Sequence, residues 1–291
     1  ESIPIYKGAS EAIIRKPFIP HPFFGNDGIG DCPEHFPKFS IFYTTVLSSD
    51  FAAHESESAA LALVRLTREH KDVTIVAIGP LTNIALAYKV DSDFARRIGK
   101  LVILGGNYYG VGNVDEFSSA EFNFSGDPEA AKIVLEEMDT DITLVPWENV
   151  YLKGAEHEAE VDFDAHLKVD TPLASFLAVA TRICREVMGK YGRQYGYCDE
   201  IAVSTAIDEK SVIKKSMDLR LGVELHGELT RGQVVVDWTG ILLGPNQTII
   251  EARVVKDSDK ARRHIHVVVD FDVKVVDEWM HNTVRGKRGP W

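Results

Sequence analysis

The stretch VTIVAIGPLTN, residues 73–83, decides the fold. Its first seven residues are a short apolar run, rich in Val and Ile, that stops at Gly79 and Pro80, as a strand buried on both faces does. Leu81 to Tyr88 then follows with helical periodicity. The same succession recurs on either side. SIPIY (2–6), KLVILGG (100–106) and DITLVPW (141–147) read as further strands, and Ser56 to Glu69 and Pro128 to Glu137 as helices. Strand alternating with helix predicts an open, mostly parallel α/β sheet covered on both faces.

From about residue 155 to 220 the pattern turns mostly helical, with Thr171 to Met188 the clearest segment. VELHGEL (223–229), QVVVDW (233–238) and HIHVVVDFDVKVV (264–276) return as strands, and VDEWMHNTV (276–284) closes as a helix. With no internal repeat and no low-complexity linker, residues 1–291 read as a single domain carrying a helical insertion near 155–220.

A formal charge of -12 and a pI near 5.3 argue against nucleic acid or an anionic membrane as partner, since both need clustered Lys and Arg. The basic run KARRHIH (260–266) is a short charged turn before a strand. Cys32, Cys184 and Cys198 are odd in number and lack metal-ligand spacing, which speaks against a disulfide framework and for a reducing, cytoplasmic compartment. Matches to the Asn-x-Ser/Thr glycosylation pattern at Asn123 and Asn246 leave secretion open.

In an open parallel sheet, ligands sit beyond the carboxyl ends of the strands. That rule selects GPLTN (79–83), the long loop 105–123 and PWEN (146–149). Within the second, EFNFSGDP (121–128) crowds Glu121, Asn123 and Asp127 together. Asp127 before Pro128 reads as a helix cap with proline at the first helical position. Glu121 and Asn123, on one side of an extended segment, read either as solvated loop groups or as a binding pair. Trp147 and Tyr195 offer faces for a nucleobase or for packing. His21 reads as a solvated loop residue, and Asn26 and Asp27 in GNDGIG (25–30) as turn formers.

Taken in order, IPIYKGA, GNDGIGD, VTIVAIGPLTNIALA, LVILGGN, AEFNFSGDPEAA, CDEIAVSTAI and TRGQVVVDW resemble the inosine-uridine-preferring nucleoside hydrolases over roughly residues 1–240. The resemblance implies a Rossmann-like sheet, a ribonucleoside substrate, N-glycosidic hydrolysis and a dimer or tetramer. It also implies one calcium ion, with the Thr82 backbone carbonyl and the Asp199 carboxylate as metal ligands. Asn113, Glu121 and Asn123 match the groups that grip the sugar, and Cys198 stands where many members carry a His that protonates the leaving base. A thiol of ordinary pKa, about 8.5, can in principle deliver that proton; equally, Cys198 reads as a small lining residue.

Two departures bear on the chemistry. Asn113 lies two residues further from Glu121 than the family spacing, with DEF (115–117) as the site of an insertion. The family's aspartate-rich DxDxxxDD loop, which supplies most metal ligands and the base, occurs nowhere in the 291 residues. The expectation is therefore a fragment or incomplete gene product of a full-length hydrolase that lacks the family's first strand or strands and is inactive alone, with a nucleoside-binding pseudoenzyme or a subunit paired to a complete paralogue as the alternatives.

Overall fold

The computed structural model describes residues 3–14, 22–32, 54–114, 118–239 and 264–287. His21, the 115–117 insertion, Asn246 and most of the basic run at 260–266 lie outside them. Two short strands, β1 (Tyr6–Lys7) and β2 (His54–Ser58), form a parallel ribbon of their own. The helix expected from Ser56 begins three residues later: Ser56 to Ser58 belong to β2, and α1 (Ala59–Glu69) starts where Ser58 accepts the Leu61 N–H and caps it.

The main sheet runs in the order β3 (Val73–Ala77), β4 (Ile98–Leu104), β5 (Ile142–Val145), β9 (Ile265–Phe271) and β6 (Ile213–Leu219). The first four are parallel and β6 is antiparallel to β9. Helices α2 (Thr82–Val90) and α3 (Phe94–Arg97) connect β3 to β4, and α4 (Phe122–Gly126) and α5 (Pro128–Glu137) connect β4 to β5. The helical stretch follows as α6 (Glu148–Tyr151), α7 (Gly154–Glu158), α8 (Pro172–Ala180), α9 (Arg182–Lys190), α10 (Asp199–Ile207) and α11 (Glu209–Val212). A small antiparallel pair, β7 (Leu221–Val223) and β8 (Val234–Val236), precedes β9, and α12 (Val273–Val284) closes the chain.

Alternation along β4 shows why both faces must be covered. Leu101 and Ile103 pack with Ile75, Leu144 and Val267 against Ala85 of α2 and Ala131 and Val134 of α5. Val102 and Leu104 point the other way, with Val145 and Val268, against Ile201 and Ala202 of α10 and Val276 of α12. Residues 101–104, where both faces are covered, have no polar position, as a segment buried on two sides requires. Among the described residues no helix is long and apolar enough to cross a membrane.

Several elements depart from the sequence reading, each for a local reason. The helix expected over Thr171–Met188 breaks at Thr181, whose hydroxyl bonds the Leu177 carbonyl at 2.7 Å. There the Gly30 backbone, at φ +97°, approaches so closely that a Cβ would lie 2.1 Å from the Val179 carbonyl oxygen. The strand expected over 264–276 stops at Phe271, because Asp272 accepts the N–H groups of Lys274 and Val275 and starts α12. β6, IKKSMDL, was absorbed into the helical stretch. As an edge strand with exposed positions it needs no apolar run. VELHGEL contributes only Val223 to a strand.

Between the ribbon and β3 lies a cavity of about 400 Å³, lined by residues including Tyr6, Ala62, Leu66, Val76 and Asn83. Side-chain contacts tie the ribbon and its neighbouring chain in place, beside the Glu57–Arg65 ion pair of β2 and α1. Arg65 donates to the Tyr6 hydroxyl (2.9 Å), the Ala9 N–H to Asn83 Oδ1 (2.8 Å) and the Ile13 N–H to Asp127 Oδ2 (2.9 Å).

Candidate active site

The loops selected from the sequence meet at the carboxyl ends of β3, β4 and β5. Gly105 and Gly106 leave β4 at φ +145° and +67°, a path open to glycine, and Gly106 N–H points to Glu121 Oε2 at 2.8 Å. Glu121 is 5% exposed and caps α4, accepting also from Asn123 N (3.0 Å, Oε1) and Phe124 N (3.2 Å, Oε2). Burial pushes its carboxyl up to about 7 against the pull of these three donors, and nearby Asp199 pushes the same way.

Asn123, also buried, donates from Nδ2 to the Leu104 carbonyl at 3.2 Å. Asn113 is held to the same turn by its Oδ1, which accepts Phe122 N at 2.7 Å. The structure thus gathers Asn113, Glu121 and Asn123 around one turn. The Glu121 oxygens, Asn113 Oδ1 and Asn123 Nδ2 already serve backbone groups, so any sugar contact uses the remaining lone pairs and amide N–H groups.

Asp199 begins α10, which packs on β3 and β4. Surrounding chain and the adjacent Glu200 carboxylate raise its carboxyl to about 6, while one side stays open to water. Cys198 precedes it. Burial, then Asp199, Glu200 and Glu121, hold its thiol well above the ordinary range, so it keeps its proton at neutrality. Glu200, unremarked in the sequence, accepts Cys198 N at 2.9 Å. Thr82 opens α2, and its hydroxyl donates to Asp127 Oδ2 at 2.7 Å.

Asp127 caps α5 through Ala130 N (3.0 Å), the role read from the Asp-Pro pair. Tyr195 packs its ring against Phe23 and Phe24, each at 5.9 Å, and Asp27 and Asp31 close the GNDGIGD turn internally. Two further buried groups escaped the sequence reading. Asn107 links Val111 O, Ser119 O and Val234 N, and Glu148 accepts Tyr108 N and Tyr109 N.

Calcium requires six to eight oxygens. Among the described residues no group of three or more His, Cys, Asp or Glu side chains is placed to hold a metal. Thr82 and Asp199 are too few, and Glu121 already receives three N–H groups. The described residues do not by themselves fit the ion.

Comparison with known proteins bears on what this edge does. The family profile described as "Inosine-uridine preferring nucleoside hydrolase" matches residues 1–278. Uridine nucleosidase 1 of Arabidopsis thaliana is 39% identical over 145 residues, covering 49% of this chain and 38% of that protein. The inosine-uridine preferring nucleoside hydrolase of Leishmania major is 27% identical over 237 residues, covering 81% and 69%. A solved inosine-guanosine nucleoside hydrolase shares the fold with a TM-score of 0.76 at 24% identity, over 98% of this chain and 82% of that one. The match thus spans less than two fifths of the plant relative's length.

Proposed function

The chain belongs to the inosine-uridine preferring nucleoside hydrolase family, and from that premise we propose that it carries the sugar-binding half of an enzyme that hydrolyses the N-glycosidic bond of ribonucleosides. The observation that carries this reading is the buried Glu121 carboxylate beside Asp199, with Asn123 and Asn113 on the same turn. A ribose presents hydroxyls that both donate and accept, which a carboxylate and two amides match.

Cleavage of a glycosidic bond builds positive charge on the sugar. Glu121, itself buried, favours that charged state over the neutral ground state, which is what lowers a barrier. Cys198, holding its proton tightly, serves as lining. The metal chemistry of the family calls for ligands beyond Thr82 and Asp199, and no step here is assigned to it. Alone, this chain binds ribonucleosides and does not turn them over. The shortage of metal ligands equally favours a second reading, a nucleoside binder without hydrolytic activity in any context.

Ribose release from inosine and uridine, with and without calcium, separates the two. The chain is assayed alone and with a strand and aspartate loop of the family pattern joined to its N-terminus. Turnover only by the extended form, abolished in E121A and D199A, supports the hydrolase reading. Binding without turnover in both forms supports the binder. Turnover by the chain alone overturns the account of its metal ligands.

A further inference from the structure

Glu148 is 1% exposed at the start of α6, directly beyond β5. Its Oε1 accepts the N–H groups of Tyr108 (3.0 Å) and Tyr109 (2.8 Å), two successive donors of the loop that leaves β4. Two residues earlier in that loop, Gly106 N–H is held by Glu121. One turn of backbone is therefore gripped by two buried carboxylates from different elements, one of them the proposed sugar ligand. The Gly106 carbonyl is fixed as well, accepting Trp147 N at 3.0 Å, and Gly105 N donates to the Val145 carbonyl at 3.1 Å. Loop 105–109 is thus laced to the end of β5 on one side and to Glu121 on the other.

A buried carboxylate is costly to keep unless backbone donors satisfy it. A solvated loop would not need one. Burial raises the Glu148 carboxyl above its ordinary range, against the backbone donors, so the position is retained against a desolvation penalty. We infer that Glu148 is a positioning residue: by clamping Tyr108 and Tyr109 it fixes Gly106, and through Gly106 it sets where the Glu121 carboxylate lies. Its bearing on catalysis rests on the reading of Glu121 as a sugar ligand; its bearing on geometry does not.

Amide hydrogen exchange in the full chain reads the geometry without any substrate. In E148A, exchange at Tyr108 and Tyr109 rises tenfold or more, and at Gly106 by a comparable factor, while β4 amides such as Val102 change no more than global stability dictates. In E148Q, whose amide oxygen still accepts both N–H groups, Gly106 stays protected. N149A serves as control. It removes the neighbouring buried bond to the Val268 carbonyl (2.9 Å) without touching the loop, and leaves Gly106 unchanged relative to β4.

Unaltered Gly106 protection in E148A, or an equal rise in N149A, overturns the inference. The substrate side is then read in the extended enzyme as the ratio of kcat/KM for inosine to that for its 2′- and 5′-deoxy analogues, which loss of active protein cannot move. That ratio falls in E148A and recovers in E148Q. If exchange couples as stated while wild type shows no selectivity for sugar hydroxyls, the positioning role stands and the nucleoside reading fails.

Discussion

The Thr82 hydroxyl and the Asp127 carboxylate meet at 2.7 Å, fully enclosed between the first turn of α2 and the cap of α5. Asp127 serves three donors at once, Thr82 Oγ1, Ala130 N and Ile13 N. D127A removes a helix cap and strands a buried hydroxyl, which together cost about 2–4 kcal/mol. T82V, which leaves the cap intact, costs roughly 1 kcal/mol. Urea denaturation of the two variants checks the order.

Glu121 ties stability to pH. Its folded carboxyl sits near 7, above the ordinary 4.5. Below 4.5 the group is protonated whether folded or not. As pH rises from there to 7 the unfolded chain ionises first, and the folded state loses up to roughly 3 kcal/mol relative to it. Subtracting the melting profile of E121Q from that of wild type should give a difference that grows between about pH 4.5 and 7 and is flat above. A flat difference throughout would mean that the carboxylate is better solvated than its burial indicates.

Calcium should do little to this chain. With Thr82 and Asp199 alone as candidate ligands among the described residues, stabilisation at about 1 mM calcium stays below about 0.5 kcal/mol. A thermal shift titration measures it. A large saturable shift would require oxygen ligands beyond these two.

Leu144 is completely buried in β5, between Ile103 and Val267 across the ladder. L144A should destabilise by about 2–5 kcal/mol, with no change in the denaturant slope. Equilibrium unfolding tests both numbers.

How much of this was legible depended on which kind of signal a residue carries. β4 and β5 were legible because burial on two faces forces an unbroken apolar run, and Asp127 because capping leaves a local pair, Asp-Pro. The site's edge followed from the parallel sheet alone. β6 was hidden because Lys214 and Lys215 face solvent at a sheet edge, and the first turn of α12 because Val273, Val275 and Val276 favour strand until Asp272 is recognised as a cap, whereas the helix over 276–284 was legible. The roles of Asn107 and Glu148 were invisible in principle. They grip backbone groups of distant segments, 127 and 40 residues away, and backbone groups carry no sequence.

Among the described residues the ribbon of β1 and β2 shares no ladder with the main sheet, and the cavity lies between it and β3. Its opening is therefore a sub-global event, set by a few side-chain anchors and not by the core. Two of those anchors, Asn83 and Asp127, adjoin Thr82 and α5. Detachment of residues 3–13 withdraws Ile13 from Asp127 and Ala9 from Asn83. The ribbon segment and the Thr82–Asp127 contact beside the candidate site thus loosen together.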